Sequence, residues 1–430
     1  MRQNPPQTQF INLDRLPYLE ANPLNNGINT VCIPIPSAEL VRLDFMFGGG
    51  TWVQRQPLQA MLALRLIREG AKNLTSQQIN EKLDFYGATF TPNVSKTYSA
   101  LTVICLRKYL RQVTDIVAHI LRQPVYEPEP FQVTVQQLFS AFMMKMERVK
   151  TRAERLFDES LFGKTHPMTN YEYQEDFARL SIPLITDYYH DFIGSRNCTI
   201  FMTGACDGEC RKIISDTFGS DDWGSTTEWS YVKNQLYATE LNPKTLENKL
   251  FRFDMPQKGV QSALFAGCVL ERPQGKQHAS LILANMLFGG FFGSRLMKNI
   301  REEKGYTYGI GSALAANHRC HVLCIQTETA NQYVEEVIKE IKNEIYKLTE
   351  QKVSDEELNT VKKYYSGNLC RSYEANFSYP AYLIRKIGQG NAKLDTLQMQ
   401  QFIKEVTAEE IQQTIASCFN PERFIWCVAG

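Results

Sequence analysis

The chain has 430 residues, of which 43% are hydrophobic, and a formal net charge of +1 at pH 7. This length allows two or more domains with complete cores, and the near-neutral charge excludes a long-range field that would recruit nucleic acid or an anionic membrane. No apolar run approaches the roughly 20 residues that span a bilayer, and the polar start 1–18 lacks the apolar segment of a signal peptide. We therefore expect a cytoplasmic protein, or a periplasmic one if a leader was removed.

Eleven cysteines are scattered along the chain, mostly in apolar contexts such as those of Cys105 and Cys427. This usage predicts buried free thiols in a reducing compartment. Cys206 and Cys210 lie close together in the sequence, and Cys320 and Cys324 have the same spacing. We interpret the segment from Cys206 as the opening of a helix that runs to Phe218 and not as a zinc site.

Strand and helix patterns follow one another in the same way in both parts of the chain. Segments 40–47 and 98–106 alternate like strands, and Leu110, Val113, Val117 and Ile120 then recur at helical spacing. In the second part, 261–267 and 321–326 are the strand candidates, a helical stripe runs from Val334 to Leu348, and Ser354 with Glu357 predicts a capping box. Strands clustered with helices packed over one face predict α+β halves.

The two parts end alike, which indicates a duplicated unit of about 200 residues. Segments 180–204 and 406–430 each carry a Ser/Thr helix cap, an amphipathic helix, a polar break and a β run that closes on glycine. We predict a first half at 1–219, a linker at 220–242 and a second half at 243–430. The linker is polar and lacks a sustained period, and its length suits two halves that face each other.

The segment 293–308 is the strongest functional candidate. It is predicted to be an apolar-faced helix with a glycine stop at Gly305, followed by an aromatic, β-favouring run. Arg301 then lies on the last helical turn and Tyr308 just past the turn, so a guanidinium and a phenol hydroxyl can converge as two hydrogen-bond donors. Such a pair suits the developing oxyanion of a peptide carbonyl.

Residue chemistry alone also allows a structural interpretation of this segment. An arginine at a helix C-terminus interacts favourably with the helix dipole, and tyrosine is a common strand residue. Gly289, Gly290 and Gly293 before the helix fit either a flexible turn or a loop that lets a substrate backbone approach the donors. His318 and His321 lie across a loop and a strand, and neither they nor the other four histidines predict a metal site.

Three segments together resemble the pitrilysin-type (M16) zinc peptidase family, in particular its short two-domain members. Segment 69–79 resembles the stretch after the family's zinc helix, 83–90 resembles the next helix-to-strand step, and 294–308 resembles the family's Arg/Tyr motif. The resemblance covers nearly the whole chain. It implies two homologous α/β-sandwich halves of the LuxS/mitochondrial-processing-peptidase-like metallohydrolase fold, facing each other as a clam shell.

The family's zinc motif is missing from the matching positions. The family uses an inverted His-x-x-Glu-His on a helix and a distant Glu. Counted back from Gly70, the two His positions fall on Met61 and Arg65, the catalytic Glu position on Leu64, and the distant Glu position near Ala141. The resemblance therefore predicts no metal in this chain.

The resemblance implies that Arg301 and Tyr308 bind the substrate carbonyl. A chain that keeps these donors and lacks the metal would work as a zinc-free subunit of a heterodimeric peptidase, whose His-x-x-Glu-His-bearing partner supplies zinc and the general base for unfolded or short peptides. Two alternatives stay open. One is a structural assembly subunit, like the core proteins of respiratory complexes, and the other is a module that binds peptides without hydrolysis.

Overall fold

The computed structural model describes residues 21–35, 37–238, 248–257, 259–316, 320–374, 377–388 and 396–430. The start 1–18, the end of the predicted linker and His318 lie outside the described residues. The strands are β1 Ala21–Pro23, β2 Asn29–Pro34, β3 Leu40–Gly48, β4 Gly70–Ala71, β5 Leu74–Thr75, β6 Thr89–Val94, β7 Tyr98–Leu106, β8 Cys198–Gly204, β9 Lys249–Phe253, β10 Gln261–Glu271, β11 Thr307–Ala316, β12 Cys320–Ala330 and β13 Ile425–Ala429.

Helices occupy much of the remaining chain. The α-helices are α1 Gln59–Arg65, α2 Ser76–Phe85, α3 Leu110–Arg122, α4 Pro128–Met146, α5 Val149–Phe162, α6 Ile182–Phe192, α7 Gly208–Phe218, α8 Trp229–Ala238, α9 Gly275–Asn285, α10 Val334–Glu350, α11 Asp355–Glu374, α12 Ser378–Gly388, α13 Thr396–Glu405 and α14 Ala408–Cys418. Two π-helices, Met286–Gly290 and Met297–Glu303, lie between α9 and β11.

The predicted strands and helices form because the periodicity and capping residues of each segment favour the same structure as the burial of its apolar side chains. One face of β3 places Val41, Leu43, Phe45 and Phe47 in a single core, as a period of two requires. The matched helices α6 and α14 begin after Ser181 and Thr407, whose hydroxyls accept hydrogen bonds from backbone N–H groups of the first turn. Helix α7 begins after Asp207 and ends at Phe218, as the spacing of Cys206 and Cys210 predicts.

The two large sheets share one topology. The first has the order β1-β2-β8-β3-β7-β6, and the second has the order β11-β12-β10-β13-β9. In each, a strand near the end of the half inserts parallel to the first long strand and antiparallel to the second: β8 between β2 and β3, and β13 between β9 and β10. This correspondence is the one that the matched endings 180–204 and 406–430 predict, and the chain has the predicted α+β architecture of two facing halves.

Each half covers the inner sheet face of the other with one helix. From α5 of the first half, Phe157 packs against Phe265 of β10, with ring centroids 6.3 Å apart. From α12 of the second half, Ile384 packs against Met46 of β3 and Phe201 of β8. The two inner layers are therefore shared between the halves, whereas the outer faces are covered by helices of their own half.

The predicted linker 220–242 contains a helix that its composition did not predict. Helix α8 begins at Trp229 inside this segment, and the Trp229 ring lies so close to Gly48 that a Cβ at Gly48 would be 2.4 Å from it. Contacts with the end of β3 therefore order a stretch with no periodicity of its own. The predicted domain boundaries at 219 and 243 stay a prediction.

Candidate functional site

Helix α1 holds Met61, Leu64 and Arg65, the three positions that the sequence resemblance assigns to a zinc motif. Leu64 is fully buried in the first core, Met61 is half-buried, and Arg65 is exposed. Arg65 Nη2 lies 3.3 Å from Gln137 Oε1, and Gln137 is one helical turn before Ala141 on α4. The fold therefore brings α1 next to the helix on which the distant Glu position was predicted.

These residues do not fit a zinc ion. A thioether is a weak zinc donor, leucine has no donor atom, and a guanidinium repels a dication. Neutral donors such as Gln137 do not supply the anionic or imidazole ligands of a zinc site. Over the described ranges, no group of three or more His, Cys, Asp or Glu side chains is placed to hold a metal ion.

Arg301 lies in the π-helix Met297–Glu303 instead of a regular α-helical turn. The wider turn shows in its hydrogen bonds: Lys304 N–H donates to the Asn299 carbonyl (2.9 Å), and Tyr306 N–H donates to the Ile300 carbonyl (3.0 Å). Gly305 ends the helix with φ +66°, a left-handed conformation that favours glycine. A pattern based on 3.6 residues per turn could not predict this π-helix, although such turns are frequent at functional sites.

The Arg301 guanidinium is not neutralised by a neighbouring acid. Its Cζ lies 4.6 Å from the centre of the Phe292 ring, a distance typical of a cation–π contact, and Phe292 is itself exposed. No carboxylate of the described residues forms an ion pair with Arg301. Arg295, six residues earlier, instead makes a bidentate pair with Glu357 at 2.6 Å for each bond. The Arg301 donors thus keep their capacity for a ligand.

Tyr308 protrudes from a β-bulge at the edge of the second sheet. Among the described strands, β11 pairs with β12 alone. Its register shifts between Thr307, which faces Thr329, and Ile310, which faces Thr327. An interval of three residues on β11 therefore lies opposite an interval of two residues on β12, so β11 has one extra residue, as in a β-bulge. Thr307 and Ile310 are buried, whereas Tyr308 between them is 92% exposed, and its hydroxyl has no hydrogen-bond partner in the described portion of the structure.

Two threonine hydroxyls hold this bulge together. Thr307 Oγ1 donates to the Glu328 carbonyl (2.6 Å) and accepts from Gly309 N–H (3.1 Å). It also lies 2.8 Å from Thr327 Oγ1, which donates to the Gly309 carbonyl at 2.9 Å. The backbone groups that the bulge removes from the sheet are thus paired with side chains, so the orientation of Tyr308 is built into the fold.

Thr307→Val tests whether this network supports the bulge. The change keeps the side-chain shape but leaves buried polar groups around the bulge without a partner, and we expect a loss of about 1–3 kcal/mol in the free energy of unfolding. Urea unfolding measures it. Thr360→Val on the exposed face of α11 is the matched control and should stay within about 0.5 kcal/mol. Equal losses in the two variants would contradict a supporting role for the network.

Tyr308 lines a cavity of about 500 Å³ that both halves form. Lys150 enters it from α5, and Phe265, Gln326 and Glu328 line it from the second sheet. Met297 of the π-helix also reaches it, but Arg301 is not among its lining residues. The structure thus places Tyr308 on the wall of a partly open cavity lined from both halves and Arg301 on the adjacent helix, while convergence of the two donors stays a prediction.

Sequence reasoning missed three features of this region. Lys150 is distant in sequence, and only the packing of α5 across the second sheet brings it here. Phe292 was named in no motif, although an exposed aromatic residue near Arg301 could have suggested a stacking partner. The sequence does indicate the bulge. Thr307, Gly309 and Gly311 interrupt an otherwise apolar strand, and a glycine inside a strand often marks a bulge.

Gly289 and His321, two of the remaining candidates, have structural explanations. A Cβ at Gly289 would lie 2.6 Å from Ser312 Oγ and 2.7 Å from its backbone N, so close packing of the first π-helix against β11 requires glycine there. Gly289 is also buried, which favours packing over a substrate loop. His321 is buried and stacks on His278 with ring centroids 5.0 Å apart.

Comparison with known proteins defines the class of this chain. Residues 179–365 match the family model described as the Peptidase M16 inactive domain. Together with the shared topology of the two halves and the missing donors on α1, this match confirms the resemblance predicted from the sequence. The chain thus resembles the M16 peptidase family, in particular its inactive domain, and its α1 lacks the family's zinc-binding motif.

Relatives with this architecture include both named proteases and a named non-protease. A Rickettsia felis protein named "Uncharacterized zinc protease" is 22% identical over 408 residues, covering 92% of this chain and 94% of that protein. A Helicobacter pylori protein named "Non-peptidase homolog YmxG" is 19% identical over 362 residues, covering 81% of each. A solved structure of a protease from Helicobacter pylori superposes with a TM-score of 0.82 at 13% identity, covering 96% of this chain and 100% of that chain; at this identity the likeness shows the fold alone.

No helix in the described parts of the chain has the length and apolarity needed to cross a membrane.

Proposed function

We propose that this chain is the zinc-free subunit of a heterodimeric M16 metallopeptidase. In this role it supplies Arg301 and Tyr308 for the substrate carbonyl, and a partner chain that carries His-x-x-Glu-His supplies zinc and the general base. The observation that carries the proposal is Tyr308, an exposed tyrosine whose hydroxyl is unbonded within the described residues and which lines the cavity that both halves form. The inactive-domain match and the non-peptidase relative support a subunit without its own metal.

The part played by this chain's own residues is substrate binding and charge stabilisation. A peptide in extended conformation can add to the free edge of β11 through backbone hydrogen bonds, which places one of its carbonyl groups near the bulge. The Tyr308 hydroxyl and the Arg301 guanidinium can each donate to that carbonyl oxygen. Such donors contribute most when negative charge develops on the oxygen. The cavity admits extended or short chains and excludes a folded protein.

Lys150 adds a cationic group from the opposite wall of the same cavity. A peptide carboxylate, or an acidic side chain next to the cleaved bond, would interact favourably with it. The cavity wall therefore carries a donor on the β11 side and a cation on the α5 side. A peptide that spans the cavity would contact both halves of the chain.

The test is reconstitution from purified chains. The isolated chain is expected to contain no stoichiometric zinc and to cleave no unfolded peptide, because the α1 positions have neither metal ligands nor a base. Recovery from the native host should yield a co-purifying chain with His-x-x-Glu-His, and the reconstituted pair should contain one zinc and cleave extended peptides. One zinc per isolated chain together with peptidase activity would refute the proposal.

The two alternative functions give different results in the same experiment. A structural role predicts recovery in a large assembly without peptidase activity, as for the core proteins of respiratory complexes. A peptide-binding role predicts saturable binding of extended peptides by the isolated chain, with no cleavage after reconstitution.

A further inference from the structure

Two cysteines far apart in sequence bring their sulfur atoms together at one side of the first sheet. Cys32 in β2 and Cys206, which follows β8, are separated by 174 positions, and their Sγ atoms lie 2.8 Å apart. The pairing of β2 with β8 fixes this arrangement, because Ile33 faces Thr203 and Pro34 faces Gly204. Only a small movement would therefore bring the two sulfurs to bonding distance, near 2.05 Å.

The surroundings distinguish the two thiols. Cys206 is buried, whereas Cys32 is partly exposed. The hydrogen bond from the Cys206 thiol and, to a smaller extent, the neighbouring Arg211 guanidinium together lower the pKa of Cys32 to about 6, although burial opposes the shift. The Cys206 pKa is raised by the same contact and by burial. Cys32 is thus the accessible thiolate, and Cys206 is a neutral thiol held beside it.

The other nearby cysteine is engaged elsewhere. Cys210 is buried in α7, and its Sγ lies 3.1 Å from the Ala205 carbonyl. Burial raises its pKa, so Cys210 is a poor competitor for reaction at neutral pH. The geometry therefore isolates one reactive pair among the cysteines of the first half.

We propose that Cys32 and Cys206 form an oxidisable thiol pair, a modification site whose substrate is a hydroperoxide. The Cys32 thiolate attacks the distal peroxide oxygen and breaks the O–O bond, which gives a Cys32 sulfenic acid and, for hydrogen peroxide, hydroxide. The Cys206 sulfur then attacks Cys32 Sγ. Its thiol proton leaves with the departing hydroxyl as water, and the hydroxide from the first step takes up the proton that Cys32 released on ionisation. Two thiols are thus oxidised to one disulfide, and the peroxide is reduced to two waters.

The disulfide would tie the start of the first half to its end. Strand β2 lies near one edge of the first sheet, and Cys206 connects β8 to α7. The closed loop contains most of the first half, including α1 and α4. Closing so long a loop restricts the unfolded chain strongly. The oxidised protein should therefore unfold at a higher temperature than the reduced one, and a dithiol reductant should reverse the shift.

The experiment treats the full chain with hydrogen peroxide and maps its cysteines by mass spectrometry. The wild type should lose the mass of two hydrogen atoms and yield a Cys32–Cys206 linked peptide. The Cys206→Ser variant should instead accumulate a Cys32 sulfenic acid that dimedone traps, and Cys32→Ser should give neither product. Cys427→Ser, which changes a buried cysteine of the second half, is the matched control and should still form the linked peptide.

A second measurement needs no variant and so does not depend on the folding of mutants. In the reduced wild type at pH 7, iodoacetamide should alkylate Cys32 roughly tenfold or more faster than Cys105, because only the thiolate reacts. Burial raises the pKa of Cys105 to about 12. Oxidation that falls on other cysteines, or equal alkylation rates for Cys32 and Cys105, would overturn the proposal.

Discussion

Replacing Arg301 with alanine in the reconstituted heterodimer is expected to lower kcat by roughly 10²–10³, the scale for removing one oxyanion donor. The physical reason is that the Arg301 guanidinium has no acidic partner among the described residues and lies against the exposed Phe292 ring. Its loss should therefore cost little stability but should remove charge stabilisation in the transition state. Steady-state kinetics with an extended peptide measures the effect, and KM should change much less than kcat.

Lys298→Ala is the matched control for this result. Lys298 is an exposed cation on the same π-helix, three residues before Arg301, and it lines a different cavity. Its removal changes the net charge equally and should leave kcat within about a factor of two. A Tyr308→Phe variant, which deletes only the hydroxyl, should lower kcat roughly tenfold to hundredfold. Unchanged turnover in both Arg301→Ala and Tyr308→Phe would limit these residues to a structural role.

Arg42→Ala is expected to destabilise the protein by about 3–5 kcal/mol, because it leaves a buried carboxylate without its cation. Asp44 is 1% exposed and is held by two bonds of 2.7 Å from Arg42 and one of 2.6 Å from Thr102. Arg42 Nη1 also donates to the Phe377 carbonyl at 3.3 Å, just before α12. The loss should appear in urea unfolding followed by circular dichroism and tryptophan fluorescence.

Two comparisons isolate the buried charge as the cause. Arg55→Ala removes an arginine that is paired with Asp187 and Asp191 but is 59% exposed, and it should cost less than about 1 kcal/mol. The double variant Arg42→Ala/Asp44→Ala removes both charges and should be more stable than Arg42→Ala alone. Equal losses for Arg42→Ala and Arg55→Ala would show that burial of Asp44 does not control the effect.

Several strands and helices could be predicted because the pattern of apolar residues that indicates each one lies within the segment itself. Strands β3, β7, β10 and β12 follow from alternating apolar residues, and α3 and α10 follow from helical stripes. The duplication followed from two matched endings, and from it the equivalent insertion of β8 and β13 in the two sheets. The prediction that α1 does not hold zinc rests on three residues, Met61, Leu64 and Arg65, which together offer at most one weak thioether donor.

The features that position the site could not be predicted because they depend on tertiary packing. The π-helix that carries Arg301 has a wider turn than any 3.6-residue period indicates. The bulge at Tyr308 is defined by the register of β11 against β12, and Lys150 reaches the cavity only through the packing of α5 on the other half. Cys32 and Cys206 are 174 positions apart in the sequence. At that separation, residue spacing does not predict which side chains are in contact.

The packing of α5 and α12, each on the sheet of the opposite half, has consequences for the origin of this protein and for the dissociation of its halves. Neither half has a complete interior by itself, since Phe157 and Ile384 each fill a layer that belongs to the other half. Cleavage of the peptide chain between the halves would therefore leave two interlocked fragments that stay associated, as in an obligate dimer. A single unit of this kind would need a second copy of itself to bury the same surfaces, and joining two copies in one chain makes that association permanent.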